Sequence, residues 1–129
     1  MTKYIFPYIE LYPWIPVSIG YDNSWFNILA ILDSGANISL FSRELGERIG
    51  VPIESGFEHE VRGIGGSLVV YKHDLKLKMS QKGEETVLNI TADFTKEIKL
   101  PFYIIGRENV FNKMNITFDH DKKIMIEII

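Results

Sequence analysis

The chain consists of short apolar or alternating runs separated by turn-forming residues, a pattern that predicts a mainly β protein. Residues 26–32 form an apolar run that predicts a buried strand, and residues 74–79 alternate, which predicts a strand with one buried face. The stretches 21–24 and 81–84 carry aspartate, asparagine or glycine and favour tight turns. Because no linker-like stretch interrupts the pattern, we expect a single domain over residues 1–129.

Two short helices are predicted between the strands. Ser42 can cap a helix over residues 43–49, which Gly50 and Pro52 would end. A second helical segment is predicted over residues 109–113.

The last predicted strand, residues 123–129, is apolar and long for a free end. The sequence pattern assigns it no partner strand within the chain. Taken alone, it is typical of an ordinary internal edge strand.

Asp33-Ser34-Gly35-Ala36 follows the apolar run directly and is the first candidate for chemistry. A carboxylate at the end of a buried strand is costly to place there, and glycine lets another backbone approach closely. The pattern suits a carboxylate presented at the edge of a core, with room for a substrate backbone. The same residues are also ordinary turn formers between two strands, so the motif alone leaves both interpretations open.

Two further motifs favour the catalytic interpretation. Strand-like segments flank the glycine-rich stretch 62–67, which is typical of a hairpin. Its tip carries one apolar residue, Ile64, which a simple turn would not need but a mobile arm closing over a ligand would. Farther on, the apolar run 102–105 ends in Gly106-Arg107 and leads into the second predicted helix.

In this order the three motifs resemble those of the retropepsins, single-domain aspartic proteases of the retroviral type. Asp33-Ser34-Gly35-Ala36 is similar to the active-site loop, Gly63-Ile64-Gly65-Gly66 to the tip of the flap, and Ile104-Ile105-Gly106-Arg107 to the segment before the C-terminal helix. The resemblance covers roughly residues 14–128. It implies a mainly β, closed-barrel-like fold with one or two short helices, assembled as a two-fold symmetric homodimer.

The resemblance also implies roles for individual residues. Asp33 would be the catalytic carboxylate, Ser34 would join the two active-site loops across the dimer axis, and Gly35 would hydrogen-bond the peptide. Eight residues would contact the substrate: Ile31, Ala36, Asn37, Leu40, Gly63, Ile64, Gly65 and Ile104. Some of the aliphatic ones could equally be plain core.

Gly106 and Arg107 would be structural. The viral enzymes usually carry an aspartate at the position of Asn37, which pairs with the arginine of the Gly-Arg motif. Asn37 can hydrogen-bond Arg107 without charge. The alternative for Arg107 is a surface arginine.

The number of candidate carboxylates bears on the assembly. Hydrolysis of an unactivated peptide bond at a carboxylate site takes two carboxyl groups, and this chain has no second Asp-Ser/Thr-Gly motif. In retropepsins a two-fold axis supplies the same aspartate twice. The resemblance therefore implies a homodimer, with the terminal strands of both subunits interleaved.

Composition excludes several other functions. The absence of cysteine excludes disulfides and thiol catalysis, and His59, His73 and His120 lack metal-ligand spacing, so we expect no metal and no cofactor. His59 and His73 lie near the predicted flap strands and could simply face solvent. A net charge of −3 gives no reason to expect nucleic acid, and no apolar run could span a membrane. A cytoplasmic location is the default expectation, and the chain could be part of a larger precursor.

The sequence thus predicts an aspartic endopeptidase that acts on polypeptides as a homodimer. The alternative is a catalytically silent dimeric module on the same fold that binds peptides or regulates a partner. A structural β domain of a larger assembly is a third possibility.

Overall fold

The structure, a computed structural model, describes residues 2–63, 65–97 and 100–129. Its strands are Lys3–Pro7 (β1), Trp14–Tyr21 (β2), Ser24–Leu32 (β3), Leu40–Phe41 (β4), Phe57–Gly63 (β5), Gly66–Gln81 (β6), Glu84–Thr95 (β7), Tyr103–Ile105 (β8), Met114–Asp119 (β9) and Lys123–Ile128 (β10). One α-helix, Arg43–Arg48 (α1), and two 3-10 turns, Ile53–Ser55 and Phe111–Lys113, complete the described elements.

Six of the strands close into a barrel. They follow the order β2-β3-β8-β4-β7-β6, and β2 pairs back onto β6. Alternate side chains fill the interior because successive residues of a strand point to opposite faces. The largest fully buried side chains of the barrel include Ile19, Leu32, Phe41, Phe94 and Ile105. The mainly β, closed-barrel fold predicted from the sequence is therefore confirmed.

Two parallel pairings bring distant segments of the barrel together. The end of β3 lies beside β8, with Leu32 opposite Ile105. β4 lies beside β7, with Leu40 opposite Asp93. These pairings place the loop after β3 next to the loop after β8, although some seventy residues separate them in sequence.

β10 is the central strand of a separate three-stranded sheet, in the order β1-β10-β9. Both of its neighbours are antiparallel, and Ile126 is opposite Tyr4 on one side and Ile116 on the other. The strand for which the sequence assigned no partner therefore has two within the chain, and it is a central strand rather than an edge strand. Hydrophobic burial explains the pairing, because Tyr4, Ile124 and Ile126 are fully buried in the core.

The first predicted helix is confirmed and the second is only partly formed. Ser42 caps α1 by accepting a hydrogen bond from the Leu45 backbone nitrogen at 3.1 Å. Over the predicted segment 109–113, only the 3-10 turn Phe111–Lys113 forms, and Asn109 has a positive φ of 59°. No helix in the described ranges is both long and apolar enough to cross a lipid bilayer.

Candidate active site

Asp33 directly follows β3 on a loop that is fixed by backbone hydrogen bonds. The Asp33 backbone nitrogen donates to the Ile105 carbonyl oxygen at 2.9 Å, which ties the loop to β8. The Asp33 Oδ1 atom accepts a hydrogen bond from the Gly35 backbone nitrogen at 2.9 Å. Because the carboxylate is half-buried and held by its own loop, its direction is set before any ligand arrives.

A cleft of about 800 Å³ lies between this loop and the β5–β6 hairpin, residues 57–72, which we call the flap. Eight predicted site residues meet there: one predicted catalytic residue, six predicted substrate contacts and one predicted structural residue. They are Gly35, Ala36, Asn37, Leu40, Gly63, Gly65 and Ile104, together with Arg107. The volume is within the range of ligand-binding clefts in proteins.

Four predicted site residues in the described ranges are not part of this lining: Ile31, Asp33, Ser34 and Gly106. Asp33 and Ser34 directly precede the lining residue Gly35 on the same loop. Ile31 pairs with the lining residue Ile104. Ile64 falls outside the described residues.

Six further residues line the cleft although they were not among the predicted contacts. These are Ile38, Val61, Arg62, Gly66, Ser67 and Leu68. Strand alternation in the flap could have found Val61, since it shares a face with Gly63 two residues on. Ile38 depends on the path of the loop between β3 and β4, for which the sequence has no local signal.

Gly106 and Arg107 join the loop after β8 to the loop that bears Asp33. A Cβ atom at Gly106 would collide with the Ile38 backbone carbonyl, so only glycine permits this close approach. The Arg107 Nη2 atom donates to Asn37 Oδ1 at 2.5 Å, and Nε donates to the Ala36 carbonyl oxygen at 3.4 Å. The hydrogen bond expected between Asn37 and Arg107 is therefore present.

The charge of the cleft is positive away from Asp33. Arg62 and Arg107 line it, and none of the described lining residues is acidic. Across residues 2–63, 65–97 and 100–129, no cluster of three or more histidine, cysteine, aspartate or glutamate side chains could hold a metal ion. The arrangement therefore offers hydrogen-bond donors, apolar walls and one carboxylate per chain to a ligand.

His59 and His73 both have protein partners, so neither simply faces solvent. His59 Nε2 lies 2.5 Å from Asp93 Oδ1, and His73 Nε2 lies 2.9 Å from the Ile53 carbonyl oxygen. His73 also packs edge-on against the Phe94 ring, with centroids 5.9 Å apart. The sequence carried no signal for the His59–Asp93 contact because its two residues lie on strands that are not neighbours.

The flap tip should tolerate a side chain at Gly65 far better than at Gly66. Both positions have open space around them, but Gly66 has a φ of +123°, where a β-branched residue is strained by about 1–3 kcal/mol. We expect Gly66→Val to accelerate amide exchange in the flap and Gly65→Ala to leave it near the wild-type rate. Hydrogen–deuterium exchange of both variants checks this expectation. Equal exchange rates in the two variants would show that the backbone conformation at position 66 does not strain a valine.

The comparisons with known proteins agree with this geometry. The aspartyl protease family model matches residues 15–109. A retropepsin-like aspartic protease from Rickettsia conorii has a similar structure, with a TM-score of 0.67 and 14% sequence identity over 96% of this chain and 98% of that one. EIAV protease, solved with the inhibitor HBY-793, has a TM-score of 0.54 and 20% identity over 81% of this chain and 88% of that one. No curated protein matches the chain in sequence.

A closed β barrel with an Asp-Ser-Gly loop beneath a β hairpin has the retropepsin-like fold. The protein belongs to the aspartyl protease family, whose model covers well over half of the chain.

Proposed function

We propose that the protein is an aspartic endopeptidase that acts as a homodimer. In each active site, two Asp33 carboxylates, one from each subunit, activate a water molecule that attacks the scissile carbonyl carbon. One carboxylate takes the proton of the water and the other protonates the carbonyl oxygen. When the tetrahedral intermediate collapses, the first carboxyl group gives the proton it took from water to the amide nitrogen and the carbon–nitrogen bond breaks. The second carboxylate takes a proton back from a hydroxyl of the intermediate as the carbonyl re-forms.

The observation that carries this proposal is that the loop bearing Asp33 and the flap together line the cleft. Gly35 and Ala36 line the cleft directly after the carboxylate. An extended peptide would lie between the flap and the loop as an added strand and bond to both backbones. The aliphatic lining, including Leu40, Val61 and Ile104, favours apolar substrate side chains.

The requirement for a second carboxylate supports the dimer. The described lining of the cleft offers no acidic side chain, so we propose that the second carboxylate comes from another copy of the chain. Leu11 and Tyr12 are exposed by 79% and 58%, and Pro13 beside them accepts a hydrogen bond from the Leu32 backbone nitrogen. We propose that the partner subunit covers this apolar surface, and that Ser34, exposed on the loop, bonds across the axis.

The strand arrangement changes how such a dimer would form. The resemblance implies interleaved terminal strands, but both edges of β10 are already occupied by β1 and β9. The proposed interface therefore uses the Asp33 loop, the turn that includes Leu11 and Tyr12, and the outer edges of β1 and β9. The proposal keeps the cytoplasmic location expected from the sequence, which immunofluorescence or cell fractionation would test.

Incubation with an unfolded protein between pH 4 and pH 7 tests the proposed activity. We expect discrete fragments, with cuts between apolar side chains, and inhibition by a statine-type transition-state mimic. The mimic places a tetrahedral hydroxyl where the attacked carbonyl would be, so it binds only an intact carboxylate pair. Peptide binding without any cleavage across this pH range would instead favour the silent peptide-binding module.

A further inference from the structure

His59 and Asp93 join the flap to the barrel wall. Asp93 lies on β7 and is fully buried, and its Oδ1 atom is 2.5 Å from Nε2 of His59 on β5. β5 pairs only with β6 among the described strands, so this contact reaches across β6 to the next strand. Asp93 Oδ2 is buried and has no hydrogen-bond partner among the described residues. A buried carboxylate depends on its few hydrogen-bond partners, so His59 provides most of the stabilisation of the Asp93 carboxylate.

The contact lies where the flap leaves the barrel. His59 is opposite Val70 on β6, and Val70 is opposite Thr95 at the last β6–β7 pair on the flap side. Past Val70, only the bond from the Lys96 backbone nitrogen to the Val69 carbonyl oxygen, 3.0 Å long, still links the described part of the flap to the segment after β7. The contact is therefore at the base of the flap, where a small change in angle moves the tip the farthest.

Both partners are tied to residues that line the cleft. Val61 follows His59 by two residues on the same face of β5, and Leu40 is the strand partner of Asp93. The Asp93 backbone nitrogen also donates to the Ser39 carbonyl oxygen at 2.9 Å, which fixes this part of the wall. The His59–Asp93 distance thus sets the separation between the flap side and the wall side of the cleft.

The charged neighbours of Asp93 come from three elements. His59 faces it from β5, Lys72 is its strand partner on β6, and Glu108 follows β8. Lys72 Nζ in turn lies 3.1 Å from Glu108 Oε2. The neighbouring residues of β4, Leu40 and Phe41, are uncharged.

Burial raises the pKa of the Asp93 carboxyl above its ordinary value. His59 and Lys72 oppose this rise in pKa, and Glu108 adds to it. The carboxyl group therefore releases its proton at a higher pH than an exposed aspartate does.

We propose that His59 and Asp93 form a positioning pair that holds the base of the flap against the barrel and makes flap closure depend on protonation. The consequence of this inference, an effect on substrate capture, rests on the proposed peptidase function. Its physical test, hydrogen–deuterium exchange, does not. When the base of the flap lifts, Asp93 gains water. An ionised Asp93 therefore favours the lifted state. His59 opposes lifting by donating a hydrogen bond to the Asp93 carboxylate.

The sign of the pH dependence follows from linkage. The closed state holds the Asp93 proton more tightly than the lifted, hydrated state does, because its pKa is raised only while it is buried. Closure is therefore favoured when Asp93 is protonated and weakens as pH rises from the ordinary range of an aspartate through the raised pKa. This direction matches an enzyme that captures its substrate best on the acidic side of neutrality.

Four variants of the full chain test the pair. His59→Leu removes the donor, whereas His59→Gln keeps a side-chain amide donor. Asp93→Asn keeps an acceptor for His59 and removes the titrating group. Glu58→Gln is the matched control, since Glu58 accepts from the Tyr71 hydroxyl at 2.8 Å within the flap itself and not from the barrel.

Hydrogen–deuterium exchange of the amides in β5 and in residues 66–70, expressed as protection factors at several pH values, is the first readout. We expect His59→Leu to lose roughly tenfold protection near neutral pH and less at acidic pH, with partial rescue in His59→Gln. Asp93→Asn should remove the pH dependence, and Glu58→Gln should match the wild type. If His59→Leu behaves like Glu58→Gln, or if Asp93→Asn retains the wild-type pH dependence, the pair does not hold the flap.

Steady-state hydrolysis is the second readout. We expect His59→Leu to raise KM roughly tenfold with little change in kcat, because the pair acts on substrate capture and not on the reacting atoms. An equal fall in kcat with KM unchanged would overturn the assignment. The exchange measurement needs no activity, so it still decides the pair if the protein hydrolyses nothing. Should His59→Leu fail to fold, Asp93→Asn carries the same test.

Discussion

Asparagine in place of Asp33 is expected to abolish peptide hydrolysis and leave the barrel folded. The neutral amide can neither take a proton from water nor share one with its symmetry mate, so the rate should fall roughly 10³-fold or more. The fold should persist because asparagine keeps an oxygen that can accept from the Gly35 backbone nitrogen, as Asp33 Oδ1 does at 2.9 Å. Initial rates on a peptide substrate measure the loss of hydrolysis, and circular dichroism measures whether the barrel remains folded.

Asp22→Asn is the matched control for this substitution. Asp22 is exposed in the turn between β2 and β3 and has a φ of 55°, which asparagine also adopts readily. The Asp22→Asn substitution removes the same charge far from the cleft and should leave the rate of hydrolysis unchanged. Full activity in Asp33→Asn would contradict the catalytic assignment and, with it, the proposed mechanism.

Mixing wild-type chains with an excess of Asp33→Ala chains is expected to suppress activity well beyond simple dilution. If the two carboxylates come from two subunits, most wild-type chains in the mixture enter dimers with a single carboxylate. Such a dimer cannot share a proton between two aspartates, so it should be nearly as inactive as a dimer with none. Activity should therefore fall as the square of the wild-type fraction once the subunits have exchanged.

Co-refolding of the two chains ensures that exchange, and sedimentation of the mixture confirms that it remains dimeric. The matched mixture contains wild-type and Asp22→Asn chains and should retain full activity. Specific activity of the wild type should also fall on dilution below the dimer dissociation constant. Activity that merely follows the amount of wild-type chain would show that each subunit works alone.

The local structure was predictable because it depends on neighbouring residues. Alternation and apolar runs indicated the strands, Ser42 indicated the start of α1, and the glycine-rich stretch 62–67 indicated a hairpin. The order of the three motifs also indicated the fold, which the structure confirms. Among the residues that the resemblance singled out, Gly35, Ala36 and Ile104 line the cleft, and their roles stay predictions.

Strand pairing was decided only by the tertiary structure. A period of two residues specifies which face of a strand is buried but not which strand lies beside it. No feature of residues 123–129 indicates that β1 and β9 pair with the two edges of β10. The burial of Tyr4 and Ile126 in one core selects that arrangement, because it depends on segments from both ends of the chain.

The same reason explains why the polar contact at the flap base was unpredictable. His59 and Asp93 are 34 residues apart and lie on strands separated by β6. Asp93 is surrounded by a strand pattern in which an aspartate would ordinarily indicate an exposed position. The sequence by itself determined the elements, their motifs and the candidate carboxylate. The closure of the barrel determined which side chains meet, because contacts between distant strands depend on the packing of the whole core.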